Sequence, residues 1–429
     1  MNLSTGNMAE RLWKSEGLRS LRTWLARIRQ SIARIAAAAR ETTKTPTSGS
    51  VSHIQKLYRV LNPAPSPFFY PEERHDYIFK KISKKSISVI TEDDITLTIT
   101  NKHPRVKSKN LYPILCLPGL AETRFVLDQA LGNSFVDYLA LNGFDVYMAE
   151  LRGHGKSLHL KERYNWNVQT FLDFDVPAII NKVLEESGQR QFLWVGHSMG
   201  GMLLLAYLIS AGLAKDKNIY DASLVRGGVT VGSPIVFNQP SLIALALAYK
   251  LTFLPRLPYI PTDNLANWLS VLRFVLDSPL TYHFWNWRNM DVNNKMLYLK
   301  DGIDNMAQGV MRDFMEYILV GDFCSSDGKI NYRENLFLVN TPLLIVGGAV
   351  DAMASVENMQ IIYDNVSSTD KELRAFGTHG YMMRDGQKIN MKDRTDYGHV
   401  DLTLGKHSKE DIWPYMLNWL RKRAKVRGD

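Results

Sequence analysis

The sequence predicts an α/β fold: a mostly parallel sheet with helices on both faces and a helical lid insertion. Two observations carry this prediction. Short runs that are apolar throughout, rather than alternating, recur between helical patterns, as strands covered on both faces require. Roughly 100 residues, 235 to about 335, then interrupt the alternation with helical patterns and aromatic clusters alone. A chain of 429 residues with ordinary apolar content has room for one large domain with insertions, or for two domains.

The elements follow in order. "KSISVITEDDITLTITN" has the period of two and the β-branched residues of a hairpin. "LYPILCLPGL" reads as a buried strand, and "SFVDYLALNGFDVYMAEL" as a helix passing through Asn142 and Gly143 into another strand. "FLDFDVPAIINKVLEESG" is a helix closed by Gly188, "QFLWV" a strand, "GMLLLAYLISAG" a helix and "VRGGVTVGSP" a further strand. After the interval come the strands "TPLLIVGGAVD" and "KELRAFG" and a terminal helix, "KEDIWPYMLNWLRKR". The interval itself holds "LANWLSVLRFVLDS" and "GVMRDFMEYILVG". It is expected to lie over the C-terminal ends of the strands, where open α/β sheets bind ligands.

Charge is concentrated at the two ends. The formal net charge is +9, but residues 1–50 carry nine basic against three acidic side chains, and "RKRAKVRGD" five against one. The body is therefore close to neutral, which disfavours nucleic-acid binding. Leu21, Trp24, Leu25, Ile28, Ile32 and Ile35 share one helical face flanked by arginines, a basic amphipathic helix followed by the linker "ETTKTPTSGS". Three roles are open for that helix: docking on the protein's own body, peripheral contact with an anionic membrane, or organellar targeting. The layout expected is the helix and linker at 1–50, the first part of the core at 51–234, the lid at 235–335 and the second part of the core at 336–429. Two distant cysteines, Cys116 and Cys324, do not indicate a disulfide framework, and no secretory signal or membrane span is expected; a reducing, cytoplasmic setting fits best.

The chemistry centres on Gly196-His197-Ser198-Met199-Gly200, a G-x-S-x-G pattern with a strand before it and a helix after it. Glycines flank the serine because the turn is too sharp for side chains there, and the serine accepts a strained backbone that lifts its hydroxyl above the sheet edge. The helix that follows points free N–H groups, including that of Met199, to where an oxyanion would form. "CLPGLAETRFV" follows a buried strand as an oxyanion loop would, with Leu120 placed to give the second N–H.

A serine hydroxyl needs a base, and the base an acid to orient it. Asp351 stands just after "LLIVGGAV", at the end of the strand that follows the interval. Two histidines come after the last strand: His379, in "FGTHGY", 28 residues beyond Asp351, and His399, in "DYGHVDLTLG", after the polar stretch "RDGQKINMKDR". Spacing alone mildly favours His379. His197 and His154 are expected to shape turns, and His283 to line the lid or to pack among aromatic residues. No cofactor or metal is expected: no cluster has metal-ligand spacing, and no phosphate loop follows a suitable strand.

Together "GHSMGG", "LPGL", "AELRGHGKS", "GAVDAM" and "YGHVDLTLGKHSKEDIWPYMLNWL" resemble the α/β-hydrolase superfamily, and within it the acid-lipase-like and related bacterial hydrolase branch, over residues 85 to 425. In that branch a "GH-x-D" segment before the last helix supplies the histidine, so the resemblance moves the assignment to His399. It implies a serine ester hydrolase using Ser198, His399 and Asp351 on a lipophilic ester or lipid, with acyl transfer or polyester synthesis as alternatives on the same triad. A non-catalytic binding module is the rival from another class. Cysteine is usual at the elbow of polyhydroxyalkanoate synthases, and dehalogenases and epoxide hydrolases of this fold use a carboxylate nucleophile; Ser198 speaks against all three.

Overall fold

The computed structural model describes residues 81–425 apart from 106–110, 130–132, 158–163, 214–215, 217–218, 253, 271–275 and 277–280. All of them belong to the unit Phe69–Asp429. The expected amphipathic helix and linker at 1–50 lie outside the described residues.

The strands are β1 (Ile82–Ile90), β2 (Thr96–Pro104), β3 (Ile114–Leu117), β4 (Val146–Glu150), β5 (Phe192–His197), β6 (Val225–Val231), β7 (Tyr259–Ile260), β8 (Met306–Ala307), β9 (Leu343–Gly348), β10 (Lys371–Phe376), β11 (Tyr381–Arg384) and β12 (Gln387–Asn390). Ten of them form one sheet in the order β1-β2-β4-β3-β5-β6-β9-β10-β11-β12, while β7 and β8 pair with each other. The six from β4 to β10 run parallel; antiparallel hairpins close both edges.

Every residue of β3, β4, β5 and β9 is buried, which is why these strands carry no polar alternation. The pleat still sorts their side chains. Leu115, Leu117 and Trp194 join the core on one face, and Ile114, Cys116, Leu193 and Val195 the core on the other. Helices α1 (Phe135–Leu141), α2 (Val176–Ser187) and α3 (Met199–Gly212) supply the covers: α1 packs on the second face, α2 and α3 on the first. The α3 helix is apolar all round because it is buried from Met199 to Ser210. Each such Leu- or Ile-sized side chain stabilises the fold by about 1.5–3 kcal/mol.

Among the described residues between β6 and β9 are the helices α4 (Pro240–Lys250), α5 (Thr262–Ser270), α6 (Val292–Asp301) and α7 (Gln308–Val320). Three expectations need correction here and beyond. The interval is not free of strands, since β7 and β8 pair within it; two-residue strands are too short to show a period of two. The stretch "RDGQKINMKDR" is not a simple polar loop but the turn and second strand of the β11–β12 hairpin, whose outer strand is exposed at every position and thus has no apolar signature. The terminal helix is interrupted at Ile412: a short turn at Ser408–Asp411 precedes a helix at Trp413–Ala424, because Pro414 lacks the N–H that would continue the first into the second. Both cysteines are free thiols, Cys116 buried and Cys324 partly so.

Candidate active site

The corner after β5 sets the site. Ser198 has φ +49° and ψ −117°, a region that non-glycine residues avoid, and its own N–H is tied to the Val231 carbonyl at 2.8 Å. The sharpness of the turn brings α3 against the neighbouring strand. A Cβ on Gly200 would stand 2.4 Å from the Leu117 carbonyl oxygen and 2.7 Å from that of Pro118, both of them backbone atoms that cannot move aside. The helix then begins at Met199, whose N–H belongs to the unpaired first turn.

His399 meets this serine from the far end of the chain. The Ser198 hydroxyl donates to His399 Nε2 at 3.0 Å, and His399 Nδ1 donates to Asp351 Oδ2 at 2.9 Å. The carboxylate can only accept, which fixes the proton on Nδ1 and leaves Nε2 as the acceptor facing the serine. Asp351 follows β9, and its second oxygen accepts the N–H groups of Met353 and Ala354, each at 2.8 Å, so three N–H donors hold the carboxylate. Gly232, at φ +56°, leaves the space for this pair: a Cβ there would lie 3.2 Å from His399 Nδ1 and 3.3 Å from Asp351 Oδ2. Burial works against the charged imidazole, but the carboxylates of Asp351, Glu122 and Asp401 together more than offset it and raise His399 above its ordinary value.

The structure thus brings Ser198, His399 and Asp351 into one hydrogen-bonded chain and leaves His379 out. His379 is exposed in the turn after β10, with its ring beside the Thr378 hydroxyl. Spacing favoured it because the β11–β12 hairpin, which returns the chain to the sheet end, was not legible. Leu120 sits in the loop after β3, in a turn where the Glu122 N–H donates to the Gly119 carbonyl at 3.3 Å.

Three further side chains surround the corner. Glu122 is buried; its Oε2 accepts the Gly119 N–H at 2.7 Å and His197 Nδ1–H at 2.8 Å, and its Oε1 accepts the Tyr298 hydroxyl at 2.8 Å. His197 is therefore more than a turn former: its Nε2 also faces the His399 carbonyl at 3.4 Å. Burial alone would raise Glu122, but His197, Tyr298 and His399 more than offset it and hold the carboxyl below its ordinary value. Asp401, buried beside His399 in the chain, accepts N–H groups from Gly398 and Asn286 at 3.0 Å and the Asn289 amide at 2.8 Å; burial pushes it up to about 6. Of these, Glu122 carried one sequence signal, its place three residues after Gly119; Tyr298 carried none.

A parallel sheet of this order, with a strained serine at the end of β5 and an acid and a histidine delivered from later loops, defines the α/β-hydrolase class. Residues 112–375 match the family described as "alpha/beta hydrolase fold", and the chain belongs to that family. Within it the protein is acid-lipase-like: it is 32% identical over 366 residues to a tear acid lipase-like protein of Mesocricetus auratus, covering 76% of this chain and 84% of that one. Rat gastric triacylglycerol lipase is 24% identical over 327 residues, 67% of this chain and 81% of the lipase. The poly(3-hydroxyalkanoate) polymerase subunit PhaC of Haloferax mediterranei is 23% identical over 345 residues, 76% of this chain but 62% of that protein, less than two thirds of its length. An esterase from Exiguobacterium antarcticum has the same fold, with a TM-score of 0.50 at 15% identity over 79% of this chain and 100% of its own.

Proposed function

We propose that the protein hydrolyses carboxylic esters of lipophilic acyl groups through an acyl-enzyme on Ser198. The observation that carries this reading is the hydrogen-bonded chain from the Ser198 hydroxyl through His399 to Asp351, at 3.0 and 2.9 Å. Ser198 Oγ attacks the ester carbonyl carbon while His399 Nε2 takes its proton; the imidazolium is stabilised by Asp351 and returns that proton to the departing alcohol oxygen. Water then attacks the acyl carbon, gives a proton to His399, and the acid leaves as Ser198 recovers its hydrogen. The N–H groups of Met199 and Leu120 receive the negative charge that develops on the carbonyl oxygen in both steps.

Support for an ester comes from the relatives, several of which are lipases. Support for a lipophilic one comes from the insertion, where Leu245, Leu247 and Leu251 are 55%, 50% and 88% exposed, apolar surface of the kind that marks an interaction with apolar partners. Ser198→Ala should lower hydrolysis of a short p-nitrophenyl ester by about 10⁴-fold or more in kcat. Full activity in that variant removes the reading.

Acyl transfer to an alcohol is the second reading, favoured by the polymerase relative. It differs only in what attacks the acyl-enzyme. Product analysis with added alcohol separates the two: ester formation in competition with acid marks transfer.

A further inference from the structure

Taking Ser198, Leu120 and Met199 in the roles just proposed, the geometry of the loop after β3 says what sets the position of the Leu120 N–H. Gly119, Leu120, Ala121 and Glu122 form a four-residue turn closed by the Glu122 N–H on the Gly119 carbonyl. The Gly119 N–H is taken by the Glu122 carboxylate. The turn and the carboxylate thereby consume the N–H groups at both of its ends, and no partner occupies that of Leu120 among the described residues. Its third residue, Ala121, has φ +56°, a left-handed conformation that costs an alanine on the order of 1 kcal/mol and persists only where neighbours impose it.

Those neighbours come from the insertion. The Asp304 N–H donates to the Ala121 carbonyl at 2.8 Å, the Thr123 N–H to the Gly302 carbonyl at 2.9 Å, and the Thr123 hydroxyl to the Asp301 carbonyl at 2.7 Å. A short antiparallel bridge therefore runs between the loop and the end of α6. One turn earlier on that helix, the buried Tyr298 hydroxyl donates to Glu122, 176 residues away in the chain. Gly119 lies between this carboxylate and the nucleophile: a Cβ on Gly119 would stand 2.5 Å from Glu122 Oε2 and 2.9 Å from Ser198 Cβ.

We propose that Glu122 is a positioning residue: it holds the Gly119–Glu122 turn so that the Leu120 N–H faces the space above Ser198, and Tyr298 makes that placement depend on the insertion being seated. The carboxylate suits this task because it can accept three hydrogen bonds at once, from the loop, from the β5 end through His197 and from α6 through Tyr298. An amide keeps one acceptor oxygen, enough for the Gly119 and His197 donors, and can turn its NH2 to the Tyr298 hydroxyl, but it lacks the charge. The charge has its own consequence. The groups facing His399 are the carboxylates of Asp351, Glu122 and Asp401 and the ring of His197, and Glu122 is among those that favour the imidazolium.

The test measures kcat, KM and the pH profile of kcat/KM on a p-nitrophenyl ester for full-length Glu122→Ala, Glu122→Gln and Tyr298→Phe beside wild type and Ser198→Ala. Glu122→Ala should lose about 10²-fold in kcat, the cost of a misplaced donor, while KM changes by less than about threefold. Glu122→Gln should recover most of that loss yet move the acid limb of kcat/KM to lower pH, which a merely structural residue would not do. Tyr298→Phe should lose about 3–10-fold in kcat with the limb displaced less than in Glu122→Gln. Wild-type kcat and an unmoved acid limb in all soluble variants, with Ser198→Ala inactive, would overturn the positioning role while leaving the nucleophile standing. If Glu122→Ala does not fold, the same two readings on Glu122→Gln and Tyr298→Phe decide. Full activity of Ser198→Ala would instead overturn the reading beneath it, and this proposal with it.

Discussion

The corner between β5 and α3 and the insertion between β6 and β9 meet at one site, yet they are built by opposite means. At the corner the backbone does the work: Ser198 is forced to φ +49°, and Gly200 is required because a carbonyl lies where its Cβ would be. In the insertion side chains and single strands of backbone do it, through Tyr298 on Glu122, Asp304 on Ala121, and the Asn286 N–H and Asn289 amide on Asp401. The Phe284 carbonyl adds a fifth contact, accepting the Val400 N–H at 2.9 Å directly after His399. The insertion therefore braces two loops together: the one after β3, with its proposed oxyanion donor Leu120, and the one that carries the histidine. The difference teaches that a backbone-built feature leaves a local mark in the sequence, whereas a feature built by docking leaves none.

Variants can break or sharpen this contrast. After the loss expected for Ser198→Ala, the largest effect is expected from Asp351→Asn, at about 10³–10⁴-fold in kcat, because the wrong imidazole tautomer is then stabilised. The same variant reports on pH. His399 stands above its ordinary value in the wild type, and the reaction needs it neutral, so the rate should fall on the acid side of a limb lying above that value. Without the Asp351 carboxylate the main opposition to burial is lost, and the residual activity should persist to lower pH. A limb that stays put in Asp351→Asn speaks against His399 as the base.

A smaller effect is expected at the corner itself. Gly200→Ala should destabilise the protein by about 1–3 kcal/mol in chemical denaturation, since backbone of β3 and its following residue must shift to admit the methyl group. The smallest belongs to the outer face of the insertion: Leu247→Ser, at a half-exposed position, should change stability by no more than about 0.5 kcal/mol. Equal costs for the two substitutions would erase the distinction between a backbone-dictated corner and a tolerant outer surface.

Much of the fold was legible because burial on both faces writes itself as uniform apolarity: β3, β4, β5 and β9 all lie within runs that the residues themselves announced. Ser198 was legible from its glycines and Asp351 from its place after β9. His399 was ambiguous against His379 for a physical reason. The β11–β12 hairpin between them has an exposed outer strand, so nothing apolar signals that the chain crosses the sheet edge and comes back. Glu122 had only its spacing from Gly119 to mark it and Tyr298 nothing, since their hydrogen bond joins the loop after β3 to a helix whose docking is fixed by tertiary contacts alone.

The most direct measurement is covalent labelling of the full chain by a fluorophosphonate, followed by mass mapping of the modified peptide. Modification of Ser198 alone, lost in His399→Ala, is the predicted result, because only a hydroxyl with a base at hydrogen-bond distance is nucleophilic enough to react. An unlabelled Ser198, or one labelled as fast without His399 as with it, would contradict the account.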